Sequence, residues 1–167
     1  MADAITIRAL TSDDLPALCT RIAEHQDYHR SLEPQWPPGT DIGAAYFAYL
    51  QAECAAYTGQ ILLAIEDRAI AGFVCIVTDK RGAPDDPARH AFVHDLYVAR
   101  EYRRRGIATR LMDSAEAFAR SHGVTDVRLA VLERNEDARA FDETLNFRGY
   151  ARILIKTDRD HSGPRRP

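Results

Sequence analysis

The sequence predicts a mixed α/β fold in which helices flank a mainly antiparallel central sheet, in the order β-α-α-β-β-β-α-β-α-β. β-Rich runs joined by a short turn indicate a hairpin, and the strands and helices that alternate after residue 91 indicate two β-α-β crossovers. A length of 167 residues, with 46% hydrophobic and 28% charged side chains, suits one compact domain. We therefore expect a single domain over residues 1–157 and a flexible tail over residues 158–167.

The first 60 residues predict one strand followed by two helices. Residues 5–10 alternate between apolar and polar side chains, as a strand does. The run of polar residues at 11–14 is typical of a helix N-terminus. This first helix is expected to run to about Tyr28. The proline-rich residues 33–39 then form a loop that carries the only tryptophan, and a second helix follows until Gly59 ends it.

The rest of the chain alternates strands and helices. Asp67 and Arg68 form the turn of the predicted hairpin. The expected elements are strands at 61–66, 69–78 and 91–98, a long helix opened by residues 103–109 and closed at Gly123, a strand at 127–132, a short helix at 136–145 and a final strand at 150–155.

Composition and charge exclude several classes of protein. The 22 Lys and Arg against 25 Asp and Glu give a net charge of −3 and a pI near 6.1, whereas nucleic-acid-binding domains are usually basic. No apolar run approaches the ~20 residues that a bilayer span needs, and the N-terminus lacks a signal-peptide pattern. The three cysteines form no C-x-x-C pair, which suits reduced thiols. We expect a cytoplasmic protein that binds neither nucleic acid nor membranes.

The histidines carry only a weak metal signal. His25 and His29 have H-x-x-x-H spacing, but Gln26 stands where a metalloprotease carries its catalytic glutamate, and no third ligand is evident. His90 and His94 are also four residues apart, but four residues of a strand span about 13 Å, which is too far for one ion. No metal site is predicted.

Charge is unevenly distributed along the chain. Residues 1–60 contain eight acidic and three basic side chains, a net charge of −5, and the remaining 17 acidic and 19 basic side chains give +2. An acidic N-terminal third suits a cationic small molecule or peptide, and the arginines of residues 100–105 suit phosphates. The alternative is that both regions are ordinary solvated surfaces.

An arginine-rich turn joins a predicted strand to the long helix at residues 103–109. The N–H groups of a first helical turn point outward and the helix dipole favours negative charge, so this turn suits a phosphate or pyrophosphate. Gly106 and Ala108 keep bulky side chains away from such a ligand. The turn lacks the GK[ST] sequence of a P-loop and the G-x-G-x-x-G of a dinucleotide fingerprint.

Two motifs in this chain resemble the GCN5-related N-acetyltransferase (GNAT) family. The R-x-x-G-x-A element at residues 103–108 is similar to the acetyl-CoA motif of that family. The N-x-x-A-x-x-F element at residues 135–141, with L-N-F at residues 145–147, is similar to its N-x-x-A-x-x-L-Y-x-K-x-G-F segment. Asn146 replaces the usual glycine, a mild change because Asn tolerates a left-handed backbone. The resemblance implies the family's fold, N-acetyltransferase activity and acetyl-CoA as co-substrate.

The resemblance also implies which residues bind acetyl-CoA. The backbone at Leu96 and Val98, where the fourth strand ends and the next strands splay apart, would hydrogen-bond the pantetheine arm. Asn135 would face the pantetheine or acetyl end, and arginine side chains of the turn would reach the 3′-phosphate. The backbone amides expected to hold the pyrophosphate are those of Arg103, Arg104, Arg105, Gly106, Ile107, Ala108 and Thr109.

One departure from the family pattern concerns the acid that protonates the leaving CoA thiolate. Many members carry a tyrosine after the position matched by Phe141, whereas this chain has Asp142. An aspartate with an ordinary pKa of about 3.9 is ionised at neutral pH and is a poor acid. Burial raises the pKa of Asp142, or another residue serves, or the thiolate leaves unprotonated; alternatively, Asp142 is only an exposed helix residue. The other candidate acids are Tyr28, Tyr46 and Tyr97.

We assign His94 as the general base that deprotonates an ammonium acceptor. Some arylalkylamine acetyltransferases, which the chain resembles here, place a histidine at this position, and a pKa of about 6.5 suits the task. Strand alternation predicts that His94 shares a face with Leu96 and Val98, with Asp95 on the other face. The alternative is a strand histidine satisfied by its neighbours. Ala130 replaces the carboxylate that ribosomal-protein-type members carry on the fifth strand, which disfavours that substrate class.

The predicted function is direct transfer of an acetyl group from acetyl-CoA to a primary amine, without a covalent enzyme intermediate. The acidic N-terminal third favours a small cationic amine as the acceptor. The alternatives are a protein N-terminus or a lysine as acceptor, and a non-catalytic acyl-CoA-binding sensor, which the missing tyrosine at Asp142 motivates. Homodimers are common in families of this shape, although the sequence identifies no interface.

Overall fold

The computed structural model describes residues 5–82, 84, 86 and 88–156. The chain divides into two compact units, Met1–Leu132 and Glu133–Pro167. The tail expected at residues 158–167 lies outside the described residues, and the single domain expected over residues 1–157 stays a prediction.

Among the described residues of the first unit, five strands form one sheet. They lie in chain order, antiparallel from the first to the fourth and parallel between the fourth and the fifth. This arrangement confirms the mainly antiparallel sheet that the sequence predicts. The strands are β1 (Thr6–Ala9), β2 (Gly59–Glu66), β3 (Ala69–Arg81), β4 (Arg89–Val98) and β5 (Val127–Leu129).

The turn between β2 and β3 is the predicted hairpin. Glu66 pairs with Ala69, and the two residues between them, Asp67 and Arg68, have φ values of 48° and 66°. Two consecutive left-handed residues define the type of tight turn whose twist matches that of antiparallel strands.

Helices cover both faces of the sheet. Leu18, Ile22 and Leu50 from the first two helices are fully buried in one cluster with alternate residues of β2 and β3. The intervening strand residues point to the opposite face, where the third helix packs. No helix in the described part of the chain is long and apolar enough to cross a membrane. The first three helices are α1 (Leu15–Leu32), α2 (Gly39–Tyr57) and α3 (Ile107–Ser121).

Strands β4 and β5 separate after a short parallel pairing. Ala91, Phe92 and Val93 pair with residues 127–129, and the Ala91 N–H donates to the Asp126 carbonyl at 2.8 Å. Beyond Val93, β4 continues to Val98 without a partner in β5. The strand predicted over residues 127–132 therefore ends at Leu129.

A β-bulge interrupts β4 where the two strands separate. On the other side of β4, Val93 pairs with Ile76 and Asp95 pairs with Cys75, so His94 is an extra residue in the ladder. Such an extra residue shifts the alternation of side chains and backbone groups by one position. The bulge therefore determines which way every later residue of β4 faces.

In residues 133–156, which are the described part of the second unit, the chain forms one short helix, α4 (Glu136–Thr144). The Asn135 side chain caps it by accepting the Ala138 N–H at 3.2 Å. Asn146 follows the helix with φ of 65°, and the Phe147 N–H donates to the Asp142 carbonyl at 3.0 Å. The left-handed asparagine that closes this helix agrees with the tolerance expected for Asn146.

The strand predicted over residues 150–155 does not form. Residues 150–156 have no regular secondary structure, and Ile153, Leu154 and Ile155 are each more than 80% exposed. The β-branched, apolar pattern predicts a strand, but a strand also needs a neighbouring backbone to pair with. The fold class is confirmed without this last element.

Candidate active site

The turn at residues 103–109, here called the Gly106 turn, presents unused backbone donors. Gly106 precedes α3 with φ of 74°, and a methyl group added to it would meet nothing within 4 Å. The amides of Ile107, Ala108 and Thr109 belong to the first turn of α3, so they have no acceptor within the helix. Among the described residues nothing else accepts from them. This geometry suits an anion, which the helix dipole also favours.

The three arginines of the Gly106 turn differ in their contacts. The Arg103 guanidinium donates from Nε to the Val98 carbonyl at 3.0 Å and lies 5.4 Å from the centre of the Tyr28 ring. Arg105 is paired with Glu66, at 2.9 Å for one of its two bonds. The Arg104 side chain has no such contact with the described residues and is exposed, on a backbone with φ of 63°. Arg104 is therefore best placed to meet a phosphate.

Beside this turn, β4 has an open edge, defined as the backbone groups of Leu96 and Val98. The Ala99 N–H donates to the Ala71 carbonyl of β3 at 2.9 Å, so the backbone of Ala99 faces β3. Because facing alternates along a strand, Leu96 and Val98 face away from β3, toward the side that β5 has left. An extended ligand can hydrogen-bond such an edge as an added strand would.

His94 is buried against α2. Its side chain is 6% exposed, and its Nε2 atom lies 3.0 Å from Glu53 Oε2 without the alignment of a hydrogen bond. The Tyr49 hydroxyl lies 3.5 Å from Nδ1. Burial lowers the pKa of His94, Lys80 lowers it further, and Glu53 opposes both effects. His94 is therefore a neutral imidazole at neutral pH.

Glu53 also forms an ion pair with Lys80. The Lys80 ammonium donates to Glu53 Oε2 at 2.6 Å, and this hydrogen bond holds the pKa of Glu53 below its usual value. Lys80 also lies 4.5 Å from the centre of the Tyr57 ring. His94 therefore lies beside a carboxylate that stays ionised.

The prediction that His94 and Asp95 occupy opposite faces is wrong. His94 contacts Tyr49 and Glu53 of α2, and Asp95 accepts a hydrogen bond from Tyr46 of the same helix. The bulge is the reason, because two consecutive residues there lie opposite a single residue of β3. A bulge depends on how two strands pair, which the pattern of β4 alone does not record.

Asp95 is the centre of a buried network that the sequence did not predict. Its side chain is 1% exposed, and its two oxygens lie 2.9 Å from His25 Nε2 and 2.9 Å from the Tyr46 hydroxyl. The His29 ring lies 4.2 Å from that of His25, and burial, followed by the charge of His25, lowers the pKa of His29 to about 4. No group of three or more metal-ligating side chains occurs among the described residues.

Two of the tyrosines proposed as alternative acids, Tyr46 and Tyr97, hold their protons tightly. Burial and the nearby Asp95 raise the pKa of Tyr46. Tyr97 donates to Glu24 at 3.2 Å, and burial together with this carboxylate raises its pKa to about 12. Tyr28 lies under the Arg103 guanidinium. A higher pKa makes a phenol a weaker acid, so Tyr46 and Tyr97 are poorly suited to proton donation.

Asp142, in the second unit, is not the exposed helix residue of the alternative interpretation. It is 9% exposed, and burial raises its pKa to about 6. At neutral pH a fraction of this carboxyl therefore keeps its proton. The side chain of Asn135, in the same unit, faces the start of α4.

Comparisons with known proteins identify the family. The model of the acetyltransferase (GNAT) family matches residues 23–147. The chain therefore belongs to the GNAT family of acetyltransferases, which confirms the resemblance found in the sequence. The Gly106 turn lies within the matched region.

Individual relatives are distant. The uncharacterized N-acetyltransferase YycN of Bacillus subtilis is 28% identical over 94 residues, 56% of this chain and 58% of the relative. The thialysine N-ε-acetyltransferase of Caenorhabditis elegans is 25% identical over 91 residues, 50% of this chain and 57% of the relative. The chain thus spans less than two thirds of these curated relatives.

Solved structures share the fold. A putative acetyltransferase from Pyrococcus furiosus superposes with a TM-score of 0.74 and 19% identity, covering 93% of this chain and 100% of the other. The aminoglycoside N-acetyltransferase AAC(6′)-Iy, solved with CoA, has a TM-score of 0.72 and 17% identity, covering 95% and 97%. At these identities the likeness concerns the fold alone.

Proposed function

We propose that this protein transfers the acetyl group of acetyl-CoA directly to a primary amine of a small cationic acceptor. The observation that carries the proposal is the contiguity of the Gly106 turn and the open edge of β4, which the hydrogen bond from Arg103 to Val98 joins at 3.0 Å. One part offers donors for an anion, and the other offers a strand edge with which no strand pairs and of which Arg103 occupies only the Val98 carbonyl. Acetyl-CoA contains both a pyrophosphate and an extended amide-bearing arm.

Binding of the acyl donor follows from these two surfaces. The amides of Ile107, Ala108 and Thr109 would bind the pyrophosphate, and the open side of Gly106 leaves room for it. The backbone of Leu96 and Val98 would bind the pantetheine arm, and Arg104 would meet the 3′-phosphate. The bound co-substrate supplies a thioester, whose carbonyl an amine attacks.

Proton removal from the acceptor is assigned to His94. Because burial lowers its pKa, the neutral ring has a lone pair available at neutral pH. With its proton on Nε2 beside Glu53, His94 presents the Nδ1 lone pair to the hydroxyl of Tyr49, which is 45% exposed. Tyr49 or a water molecule would carry the proton from the ammonium to the buried ring.

Protonation of the leaving thiolate is assigned to Asp142. A carboxyl group with a pKa of about 6 is partly protonated near neutral pH, whereas an ordinary aspartate is almost fully ionised. This assignment favours an enzyme over the alternative of a non-catalytic acyl-CoA sensor, because it supplies an acid where the family's tyrosine is missing.

A small cationic acceptor agrees with the charge of the chain and with the names of its relatives. Residues 1–60, which include α1 and α2, have a net charge of −5. Two relatives are named for thialysine and one structural neighbour for aminoglycosides, and all of these are amines. A peptide N-terminus is the second candidate, since another neighbour is a ribosomal-protein-alanine N-acetyltransferase with a TM-score of 0.67.

We also propose a cytoplasmic location, on the state of the cysteines. Cys19, Cys54 and Cys75 are free thiols, as expected of a reduced compartment such as the cytoplasm. The homodimer stays a prediction, which sedimentation at several protein concentrations would test.

The test is an acceptor screen read by mass spectrometry. The enzyme and acetyl-CoA are incubated with a polyamine, an aminoglycoside, thialysine, free lysine and a peptide with an N-terminal alanine. Acetylated polyamine, aminoglycoside or thialysine, with equimolar CoA released, supports the proposal. Acetylation of the peptide alone would replace the acceptor class, and acetyl-CoA binding without any acetylated product would favour the sensor.

A further inference from the structure

Two cysteine sulfurs lie in contact on the face of the sheet that α2 covers. The Sγ atoms of Cys54, on α2, and Cys75, on β3, are 3.7 Å apart. A disulfide bond is about 2.05 Å long, so the sulfurs would have to approach by less than 2 Å. Cys75 is fully buried and Cys54 is partly exposed, so an oxidant from solvent reaches Cys54 first.

The two thiols differ in their pKa values. The contact with Cys75 lowers the pKa of the Cys54 thiol, and the same contact, with burial, raises the pKa of Cys75. Because Cys54 is partly exposed and Cys75 is fully buried, loss of solvation opposes the ionisation of Cys54 less, so we expect Cys54 to ionise first. The thiolate is the nucleophilic form of cysteine, so the more exposed sulfur is also the more reactive one.

Cys54 also borders an open groove of about 300 Å³. The groove is lined by Leu10, Gln51, Gly59 and Ile61 among others. Its volume holds a small neutral oxidant, whereas Cys75 lies behind Cys54 and has no route of its own to solvent in the described structure.

We propose that Cys54 and Cys75 are an oxidation site at which hydrogen peroxide produces an intramolecular disulfide. The Cys54 thiolate attacks one peroxide oxygen, the S–O bond forms, the O–O bond breaks and hydroxide leaves, which the proton released by Cys54 converts to water. The Cys75 sulfur then attacks the sulfenic sulfur of Cys54, the S–S bond forms, the S–O bond breaks, and the Cys75 proton leaves with that oxygen as water. Two thiols are oxidised and one peroxide is reduced to two waters.

The position of the pair links this oxidation to the candidate active site. Cys54 directly follows Glu53, whose carboxylate contacts His94, and Cys75 is the register partner of Asp95. The proposed bond would tie α2 to β3 between these two carboxylates. The oxidation itself does not depend on the proposed acetyltransferase mechanism.

The experiment counts thiols in the full-length protein before and after a small excess of hydrogen peroxide. Titration under denaturing conditions is expected to fall from the three thiols of the sequence to one, with recovery after dithiothreitol. Peptide mapping is expected to show Cys54 linked to Cys75 within one chain and Cys19 free. Three remaining thiols, a bond to Cys19 or a bond between two chains would each overturn the proposal.

Three variants sharpen this experiment. Cys19→Ser is the matched control and is expected to lose both of its remaining thiols after peroxide treatment. Cys54→Ser is expected to keep both of its remaining thiols after the same treatment. Cys75→Ala should stop the reaction at a Cys54 sulfenic acid, which dimedone traps. Peroxide-dependent thiol loss in Cys54→Ser equal to that of the wild type would contradict the assignment. Should Cys75→Ala fail to fold, the map of the wild-type protein decides.

Discussion

The two parts of the candidate site are built in different ways. The surface proposed for acetyl-CoA, comprising the Gly106 turn and the open edge of β4, consists mostly of backbone groups that are close in sequence. The surface beside α2, here called the polar cluster, consists of side chains from α1, α2, β3 and β4. Its members are His25, Tyr46, Glu53, Lys80, His94 and Asp95.

This difference explains which substitutions each part of the site can tolerate. Backbone donors depend on the turn and on a small residue at Gly106, so most side chains there can change without loss of the donors. The polar cluster depends on particular atoms held 2.6–3.0 Å apart across four elements, so replacing one member leaves another without its partner. Substitutions in the polar cluster should therefore have larger effects.

The largest effect is expected for His94→Gln. Removal of a general base lowers turnover by about 10²–10³-fold, while the dissociation constant for acetyl-CoA stays near its wild-type value. Steady-state kinetics from pH 6 to 9, together with calorimetric binding, would measure both quantities. His90→Gln, on the same strand, is the control. Turnover that is unchanged across this pH range would reject His94 as the base.

Asp95→Asn is expected to lower the free energy of unfolding by about 2–3 kcal/mol, because an amide cannot accept from both His25 and Tyr46. Urea denaturation followed by circular dichroism measures this loss. Asp113→Asn, an exposed carboxylate on α3, is the control and should change the value by less than about 0.5 kcal/mol. Equal stability of the two variants would show that the buried network contributes little.

Asp142→Asn is expected to change how stability depends on pH. A folded-state pKa of about 6, above the unfolded value of 3.8, means that the wild type loses stability as pH rises between these values. The asparagine variant does not carry this penalty, so it should gain about 2–2.5 kcal/mol relative to the wild type between pH 4 and pH 7. Urea denaturation at both pH values measures the difference, and a pH-independent difference would contradict the raised pKa.

Arg104→Ala is expected to have the smallest effect, because an exposed arginine contributes little. The wild type should bind CoA a few-fold more tightly than 3′-dephospho-CoA, by about 0.5–1 kcal/mol, and the variant should lose this preference. Competition binding with both ligands measures it. Arg100→Ala is the matched control, and loss of the preference in the control alone would move the 3′-phosphate contact to Arg100.

The sequence predicts the surface proposed for acetyl-CoA better than it predicts the polar cluster. The Gly106 turn was predicted because its donors follow from local residues, and the hairpin at Asp67 and Arg68 was predicted for the same reason. The side of the sheet on which Asp95 lies was not predicted, because the bulge at His94 depends on the pairing of β4 with β3. Glu53 and His94 are far apart in sequence, and no short sequence pattern predicts a contact between such residues.

The strand predicted at residues 150–155 and the pKa of Asp142 both depend on the tertiary structure. The apolar run at residues 150–155 predicted a strand, but propensity does not supply a neighbouring strand. Burial raises the pKa of Asp142, which agrees with one of the alternatives that the sequence leaves open, and the role of Asp142 as an acid stays a prediction. Burial depends on the tertiary structure, so a spacing argument could only leave the question open.

The central claim, that the Gly106 turn binds the pyrophosphate of acetyl-CoA, is tested most directly by binding calorimetry on two matched glycine variants. Gly106→Ala and Gly123→Ala introduce a methyl group at φ values of 74° and 72°, at opposite ends of α3. Both should lose about 1 kcal/mol of stability through the same left-handed strain.

Only Gly106→Ala should weaken acetyl-CoA binding, by about 10-fold or more, because its methyl group enters the open space beside the turn, which the proposal assigns to the pyrophosphate. Gly123→Ala should bind as the wild type does. Equal affinities in all three proteins, or a wild type that does not bind acetyl-CoA at millimolar concentration, would contradict the claim.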